Sequence, residues 1–222
     1  MTRTRFLSLL AGATALSILG LPTVQPGQGH GGAAFAQSAD AAEEPGSAEI
    51  VEMTLGDPDA PVTVIEYASF TCPHCATFHK TVFKELKENF IDTGKVQFVH
   101  REVYFDRFGL WAGMVARCGG PERYFGITDI VYDTQSEWTS GGDPATVVGN
   151  LRRIGKTAGL TDAELDACLS DGEKAQALVA WYQENASADG IQGTPSFIIN
   201  GEQHSNMGYD AFAEILDEKL AN

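Results

Sequence analysis

Basic residues are scarce in this chain of 222 residues: 15 Lys and Arg stand against 30 Asp and Glu, so the formal net charge at pH 7 is −15. Binding to nucleic acid or to an anionic membrane surface depends on clustered positive charge. We therefore expect neither kind of partner. The chain also has no internal repeats, and its hydrophobic content of 43% is that of a globular protein with a buried core.

Long hydrophobic runs are missing too. The apolar stretch Phe6–Leu21 has 16 residues and is broken by Ser and Gly, whereas a membrane span needs about 20. It follows Arg3 and Arg5 and precedes a small-residue cleavage site, which is typical of a secretory signal peptide. We predict that residues 1–36 are a cleaved signal peptide, with an uncleaved anchor as the alternative because the region before the site is long. Residues 37–49, small and acidic, are predicted to be a disordered leader.

The rest of the chain alternates between strand and helix patterns. Val62–Ala68 is apolar and β-rich, typical of a strand buried on both faces, and Val96–Val103 predicts a second central strand. The pattern is helical from Asp106 to about Asp189, and Ser196–Asn200 then predicts another strand. Ile50–Leu55 alternates weakly and ends at a turn, and a capping-box sequence at Thr161–Glu164 predicts the start of a helix. A final helix is predicted at Tyr209–Leu220. The order predicts an α/β fold with a helical segment inserted in its middle.

Cysteine is also rare, with four residues that all follow the predicted signal peptide: Cys72, Cys75, Cys118 and Cys168. In an exported protein an even number favours disulfides over free thiols. Pro73 suits the first position of a helix, and the buried face of that helix is predicted to carry Phe78, Val82, Leu86 and Phe90. Cys75 belongs to this face by its spacing, whereas Cys72 precedes the helix and can face solvent.

The sequence Cys72-Pro73-His74-Cys75 can therefore exchange electrons as a dithiol. Such a pair needs an exposed attacking sulfur and a second sulfur that resolves the mixed disulfide. The positive end of the helix and the imidazole of His74 should favour the thiolate of Cys72, so the pair should prefer to donate its disulfide. The alternatives are a zinc knuckle or a plain structural bridge. Zinc would need two further ligands in a similar motif, and none is evident.

Two motifs resemble the DsbA family of bacterial disulfide oxidoreductases. They are the segment 64–75, VIEYASFTCPHC, and the segment 193–197, GTPSF, and the resemblance covers Ile50–Asn222. It implies a thioredoxin fold formed by residues 50–105 and 190–222, with a helical insertion at residues 106–189. It also implies a periplasmic location.

Residue by residue, the resemblance implies that Cys72 is the nucleophile and Cys75 the buried resolving cysteine. Thr194-Pro195 matches a cis-proline loop that pairs with substrate backbone, the alternative being an ordinary trans proline. Glu66 matches a buried acid beneath the disulfide, the alternative being an exposed strand end. Well-known Gram-negative members have Val in place of Thr194, which leaves the redox potential and the membrane partner open.

Cys118 and Cys168 are predicted to form a structural disulfide, as some members of the family have in their helical domain. Two separate buried thiols are the alternative. We interpret His79 as a partly exposed helix residue, His100 and His204 carry no functional pattern, and the three tryptophans are predicted to pack the helical core: Trp111, Trp138 and Trp181. The aromatic run Phe105–Trp111 favours core packing over a binding groove.

The sequence therefore predicts an exported dithiol oxidase without cofactor or metal, and a monomer. Its partners would be unfolded exported polypeptides with cysteine pairs and a quinone-linked membrane oxidase that reoxidises it. A reductase or isomerase is one alternative, although no dimerisation domain fits in the few residues before the first strand. A non-catalytic copper or zinc module that uses the dithiol as ligand is the other.

Overall fold

The computed structural model of the protein describes residues 49–221. The predicted signal peptide and nearly all of the predicted leader lie outside these residues. Within the described part of the chain, no helix is both long enough and apolar enough to cross a bilayer.

One mixed sheet of five strands forms the centre of the fold, in the order β1-β3-β2-β4-β5. Strands β2 and β3 are parallel, and each of the other neighbouring pairs is antiparallel. The strand bounds are β1 Met53–Leu55, β2 Val62–Ala68, β3 Val96–Glu102, β4 Ser196–Ile199 and β5 Glu202–Ser205. The parallel register places Glu66 of β2 beside His100 of β3, which brings two titratable side chains together in the middle of the sheet.

The predicted central strands are confirmed, and the two edges of the sheet differ from expectation. Strand β1 begins at Met53, three residues later than the pattern at Ile50 indicated. Strand β5 was not predicted, because its four residues are all polar and largely exposed. A strand at an edge buries little side-chain surface and therefore leaves little hydrophobic alternation in the sequence.

A long helix follows β2 and carries the first two cysteines. We call it α1; it consists of the consecutive segments Pro73–Phe78, His79–Phe83, Lys84–Leu86 and Lys87–Ile91, of which the second and fourth are π-helical. The predicted apolar face is buried: Phe78, Val82, Leu86 and Phe90 are each at most 7% exposed. These residues pack against the sheet and the terminal helix, α8, Tyr209–Leu220.

The predicted insertion is helical, as expected from its pattern. Its helices are α2 Arg107–Cys118, α3 Gly120–Asp133, α4 Gln135–Trp138, α5 Pro144–Thr157, α6 Asp162–Ser170 and α7 Gly172–Ala188. They enclose a second hydrophobic core that also contains Phe70 and Cys75. Helix α3 packs against the segment His79–Phe83 of α1, so α1 is covered by the sheet on one side and by the insertion on the other.

Two local features tie the insertion together. A disulfide joins Cys118 at the end of α2 to Cys168 in α6, 50 residues apart in sequence. The capping box at the start of α6 is present, with Thr161 and Glu164 bonding each other's backbone N–H groups. The side chain of Trp138 is buried as predicted, at 1% exposure, whereas those of Trp111 and Trp181 are only partly buried.

Candidate active site

Cys72 and Cys75 lie at the first turn of α1 in different surroundings. Cys72 is the residue before the helix, has an extended backbone conformation and is half-buried. Cys75 has no exposed surface and belongs to the core that the insertion encloses. Both are free thiols in this structure. The unequal exposure that their spacing predicted is confirmed.

The same contact shifts the pKa values of the two thiols in opposite directions. A hydrogen bond from Cys75 stabilises the Cys72 thiolate and, despite burial, lowers the pKa of Cys72 to about 5, helped by Thr194 and by the backbone N–H groups of Cys75 and His74. Burial raises the pKa of Cys75 far above its ordinary value, and the bond to Cys72 and the charge of Glu66 raise it further. His74 acts here through its backbone, and its side chain is exposed.

The loop before β4 faces the Cys72 sulfur. Its Thr194–Pro195 peptide bond is cis, and the carbonyl oxygen of Thr194 lies 3.4 Å from the Cys72 Sγ. A cavity of about 530 Å³ adjoins this loop and is lined by residues 190–196 of the loop, apart from 191, and by Gln203, His204 and Ser205. The Thr194 carbonyl thus lies beside the more acidic of the two thiols, and the cavity runs along the same loop.

Two side chains of the insertion hold the segment that precedes the helix. Asp106 accepts a hydrogen bond of 2.7 Å from the hydroxyl of Thr71. The side-chain amide of Gln135 donates to the carbonyl oxygens of Phe70 and Cys72, at 2.8 and 2.9 Å. Sequence reasoning assigned neither side chain to the site. Gln135 lies 63 positions from Cys72 and belongs to no motif.

A cluster of buried titratable groups lies behind Cys75. The carboxylate of Glu66 is fully buried, and its Oε2 lies 2.8 Å from Nε2 of His79 and 3.9 Å from Nε2 of His100. Oε1 of Glu66 and Nδ1 of His79 are buried without a hydrogen-bond partner. Such atoms are rare in proteins.

The prediction that His79 is partly exposed is wrong. Its residue exposure is 3%, and its ring stacks on Tyr132 of α3 with a centroid separation of 4.2 Å. His79 lies one turn beyond Cys75 on α1, so the two share a helix side. The sequence of α1 alone could not show that an inserted helix, α3, covers that side.

His100 closes the other end of the cluster. Its Nδ1 lies 2.7 Å from the hydroxyl of Tyr124 and its Nε2 lies 3.2 Å from that of Tyr132. Burial lowers the pKa of His100 to about 4. Tyr124 in turn donates to Glu102 at 2.7 Å, and Arg117 binds the two Glu102 oxygens. Burial disfavours the charged carboxylate of Glu102 and acts to raise its pKa. The charge and hydrogen bonds of Arg117 have the larger opposite effect, so the pKa of Glu102 is lowered.

Three of these groups have the residue types of a metal site. One ligand atom from each of Glu66, His79 and His100 lies within 4.8 Å of the others, and His and carboxylate are zinc ligands. However, all three side chains are buried, and His79 and Glu66 are bonded directly to each other. This arrangement fits a proton-exchanging pair better than an ion site.

The aromatic run at the start of the insertion borders the site only in part. Phe105 is 60% exposed. Phe108 and Trp111 are partly buried and pack on the same core as Cys72. The prediction of core packing therefore fits two of these side chains and is wrong for Phe105.

Comparison with known proteins gives consistent matches over the described residues. A family model described as thioredoxin matches residues 48–218. A protein of Rickettsia bellii named as a protein-disulfide oxidoreductase is 36% identical over 170 residues, which are 76% of this chain and 64% of the relative, so the match spans less than two thirds of that protein. Disulfide bond formation protein D of Bacillus subtilis is 27% identical over 75% of this chain and 76% of its own length. The crystal structure of Wolbachia pipientis alpha-DsbA1 superposes with a TM-score of 0.72 at 30% identity, covering 77% of this chain and 91% of that one.

Proposed function

Because this chain belongs to the DsbA-like proteins of the thioredoxin superfamily, we propose that it is a thiol-disulfide oxidoreductase that donates the Cys72–Cys75 disulfide to other proteins. Its substrates would be newly exported, unfolded polypeptides with cysteine pairs. The compartment would be the periplasm, and a quinone-linked membrane oxidase would restore the disulfide. The protein would act as a monomer without a cofactor.

The observation that supports this direction most is the acidity of Cys72. Its pKa of about 5 keeps the sulfur as a thiolate at neutral pH in the reduced protein. Stabilising the reduced form makes the disulfide form a stronger oxidant. A reductase needs the opposite balance. The same acidity makes Cys72 a good leaving group, because thiols of low pKa leave faster.

The reaction has two exchanges. A substrate thiolate attacks the Cys72 sulfur, the Cys72–Cys75 bond breaks, and Cys75 leaves and takes up a proton. A second substrate thiolate then attacks the substrate sulfur of the mixed disulfide, which closes the substrate disulfide and releases the Cys72 thiolate. The substrate is oxidised and the Cys72–Cys75 pair is reduced by two electrons.

The substrate would lie along the cis-proline loop. Backbone groups of Thr194 can pair with an extended peptide beside Cys72, and backbone pairing tolerates many sequences. The groove beside residues 193–195 would take the substrate side chains. Glu66 would exchange a proton with Cys75, since its charge already acts on that thiol.

Two measurements test the proposal. Alkylation of the reduced protein against pH should show one reactive thiol, Cys72, with a midpoint near pH 5. The reduction potential of the Cys72–Cys75 pair should be well above that of thioredoxin, about −270 mV. A potential near that value, or a Cys72 midpoint near that of a free cysteine, contradicts the oxidase. Metal binding by the reduced dithiol in place of peptide oxidation would favour the non-catalytic alternative.

A further inference from the structure

The dithiol chemistry does not explain how a proton is delivered to Cys75. The inference drawn here concerns that step and rests on the proposed function. When substrate attacks Cys72, Cys75 is the leaving sulfur. Its pKa is raised by burial, and thiols of high pKa leave slowly. Cys75 has no exposed surface, so bulk water does not reach it directly. The proton must come from a protein group, and must be replaced there from outside.

We propose that His79 is the positioning residue through which Glu66 gains and loses the proton that it exchanges with Cys75. In the donating direction Glu66 gives its proton to the departing sulfur. Nε2 of His79 then gives its proton to the Glu66 carboxylate while the buried Nδ1 takes one from outside the Glu66–His79 pair. In the reoxidising direction each transfer is reversed. The proton count balances, because one proton enters the imidazole at one nitrogen for each that leaves at the other.

The unpaired atoms of the cluster support this pathway. His79 is bonded to Glu66 through Nε2 only, and its Nδ1 has no hydrogen-bond partner although it is buried. On Glu66 the second oxygen, Oε1, is likewise buried and unpaired. A purely structural ion pair would be expected to satisfy these atoms. Here one free position remains on each side of the Glu66–His79 bond, as a proton relay needs.

His100 lies nearby and is not suited to the same role. Tyrosine hydroxyls occupy both of its ring nitrogens, and its Nε2 is 3.9 Å from the Glu66 carboxylate. Burial lowers its pKa to about 4, so it stays neutral at neutral pH. His100 therefore serves as the matched control: it is equally buried, also a histidine, and part of the same cluster.

Helix α3 offers the outer end of the pathway. It packs on the π-helical segment that begins at His79, and π-helical turns are frequent at functional sites. Asp129 of α3 is partly buried; burial raises its pKa, and the charge of His79 acts to lower it. Asp129 is therefore the partly exposed acidic group of α3 through which the proposed pathway would reach the surface.

Any pH dependence of this cluster must take account of every charged or titratable group around it. From strands β2 and β3 these are Glu66, His100 and Glu102. From helices α1, α2 and α3 they are Cys75, Lys84, Lys87, Arg117, Tyr124, Asp129, Tyr132 and Asp133. Arg117 and Glu102 compensate each other as an ion pair. Burial raises the pKa of Tyr124 and Tyr132 well above the ordinary value, so they stay neutral. In the relay that we propose, the remaining groups that carry the proton are Glu66, His79 and Asp129.

The test compares His79→Gln with His100→Gln in the full protein. Gln at position 79 can still donate a hydrogen bond to Glu66 but cannot pass a proton. The disulfide form is reduced by a small thiol such as cysteine in stopped flow, between pH 5 and 9, in water and in deuterium oxide. We expect His79→Gln to slow reduction about tenfold, a barrier increase of about 1.4 kcal/mol, and to flatten the pH profile. His100→Gln should change the rate and the isotope effect far less than His79→Gln, because both ring nitrogens of His100 are bonded to tyrosine hydroxyls.

Alkylation of Cys72 in the same variants separates the two proposals. If its midpoint stays near pH 5 and His79→Gln reduces like the wild type, the relay is refuted and the oxidase stands. If the alkylation midpoint of Cys72 in the wild-type protein is that of a free cysteine, the oxidase proposal is refuted, and the relay that rests on it is refuted with it. Equal slowing in both variants would indicate a structural effect and also refutes the relay.

A measurement on the unaltered protein covers the case in which a variant does not fold. Nuclear magnetic resonance of the His79 ring nitrogens should show different titration curves in the disulfide and dithiol forms, because Cys75 gains a proton on reduction. Identical curves would overturn the proposal. So would binding of one zinc ion to the protein that is lost in both histidine variants, since it would make the cluster a metal site.

Discussion

The two cysteine pairs of this protein have opposite surroundings. Cys72 and Cys75 are separated by two residues at a helix start, and one is half-exposed while the other is sealed in the core. Cys118 and Cys168 join two helices across 50 residues, and both are partly buried. The first pair has unequal sulfurs, which suits exchange with another molecule. The second has equivalent sulfurs, which suits a fixed link.

Replacing Cys72 tests the difference most strongly. Cys72→Ser should reduce the oxidation of a two-cysteine peptide by more than about 1000-fold, because no other exposed thiol can form the covalent intermediate. The double variant Cys118→Ala, Cys168→Ala is the matched control and should keep most of the activity. Comparable losses in both proteins would show that the two pairs do not have separate roles.

Removing the long link should have the largest effect on stability. A loop of this length contributes about 4 kcal/mol when closed by a disulfide, on the chain-entropy view. Cys118→Ala, Cys168→Ala should therefore lower the free energy of unfolding by about that amount in urea denaturation. The Cys72–Cys75 disulfide closes a far shorter loop. Its removal in the double variant Cys72→Ala, Cys75→Ala should lower the free energy of unfolding by about 2 kcal/mol at most.

Counting reactive thiols in the denatured protein tests the same two disulfides chemically. The fully oxidised protein, denatured without reductant, should show no reactive thiols, and a mild reductant should first expose two, at Cys72 and Cys75. Two thiols in the oxidised protein would contradict the second link.

The buried imidazole of His100 makes stability depend on pH. His100 has a pKa of about 4 when folded, against 6.5 when free, so the unfolded chain binds more protons between these values. The free energy of unfolding should then fall by about 3 kcal/mol as pH drops from 6.5 to 4, and level off below. His100→Gln should remove this part of the dependence, measured by denaturation at each pH. An unchanged dependence would contradict a buried neutral imidazole at position 100.

Much of this arrangement could be read from the sequence, and its limits have physical causes. The asymmetry of Cys72 and Cys75 follows from helix periodicity and Pro73, and the strand β2 from its unbroken apolar run. His79 was misjudged because its environment depends on α3, more than 40 residues later. Gln135 was missed for the same reason. Local patterns report which side of an element is apolar, but not which distant element covers a polar side chain.

Two helix caps allow the finest comparison, one beside each cysteine pair. Asp106 caps α2 by accepting from the backbone N–H groups of Phe108 and Gly109, and it also holds Thr71, next to Cys72. Thr161 caps α6, the helix that carries Cys168. Loss of either cap should cost about 1 kcal/mol. Asp106→Ala and Thr161→Ala should therefore have similar effects on urea denaturation.

Only one of the two caps should also affect the chemistry. Without Asp106, the hydroxyl of Thr71 loses its partner and the segment before Cys72 is less firmly held, so the rate of Cys72 alkylation at fixed pH should change. Thr161→Ala should leave that rate unaltered, because its contacts are confined to the start of α6. Equal alkylation rates in both variants would mean that Gln135, which binds the carbonyl oxygens of Phe70 and Cys72, is sufficient to fix the segment. The helical insertion would then position the reactive sulfur through a single side chain.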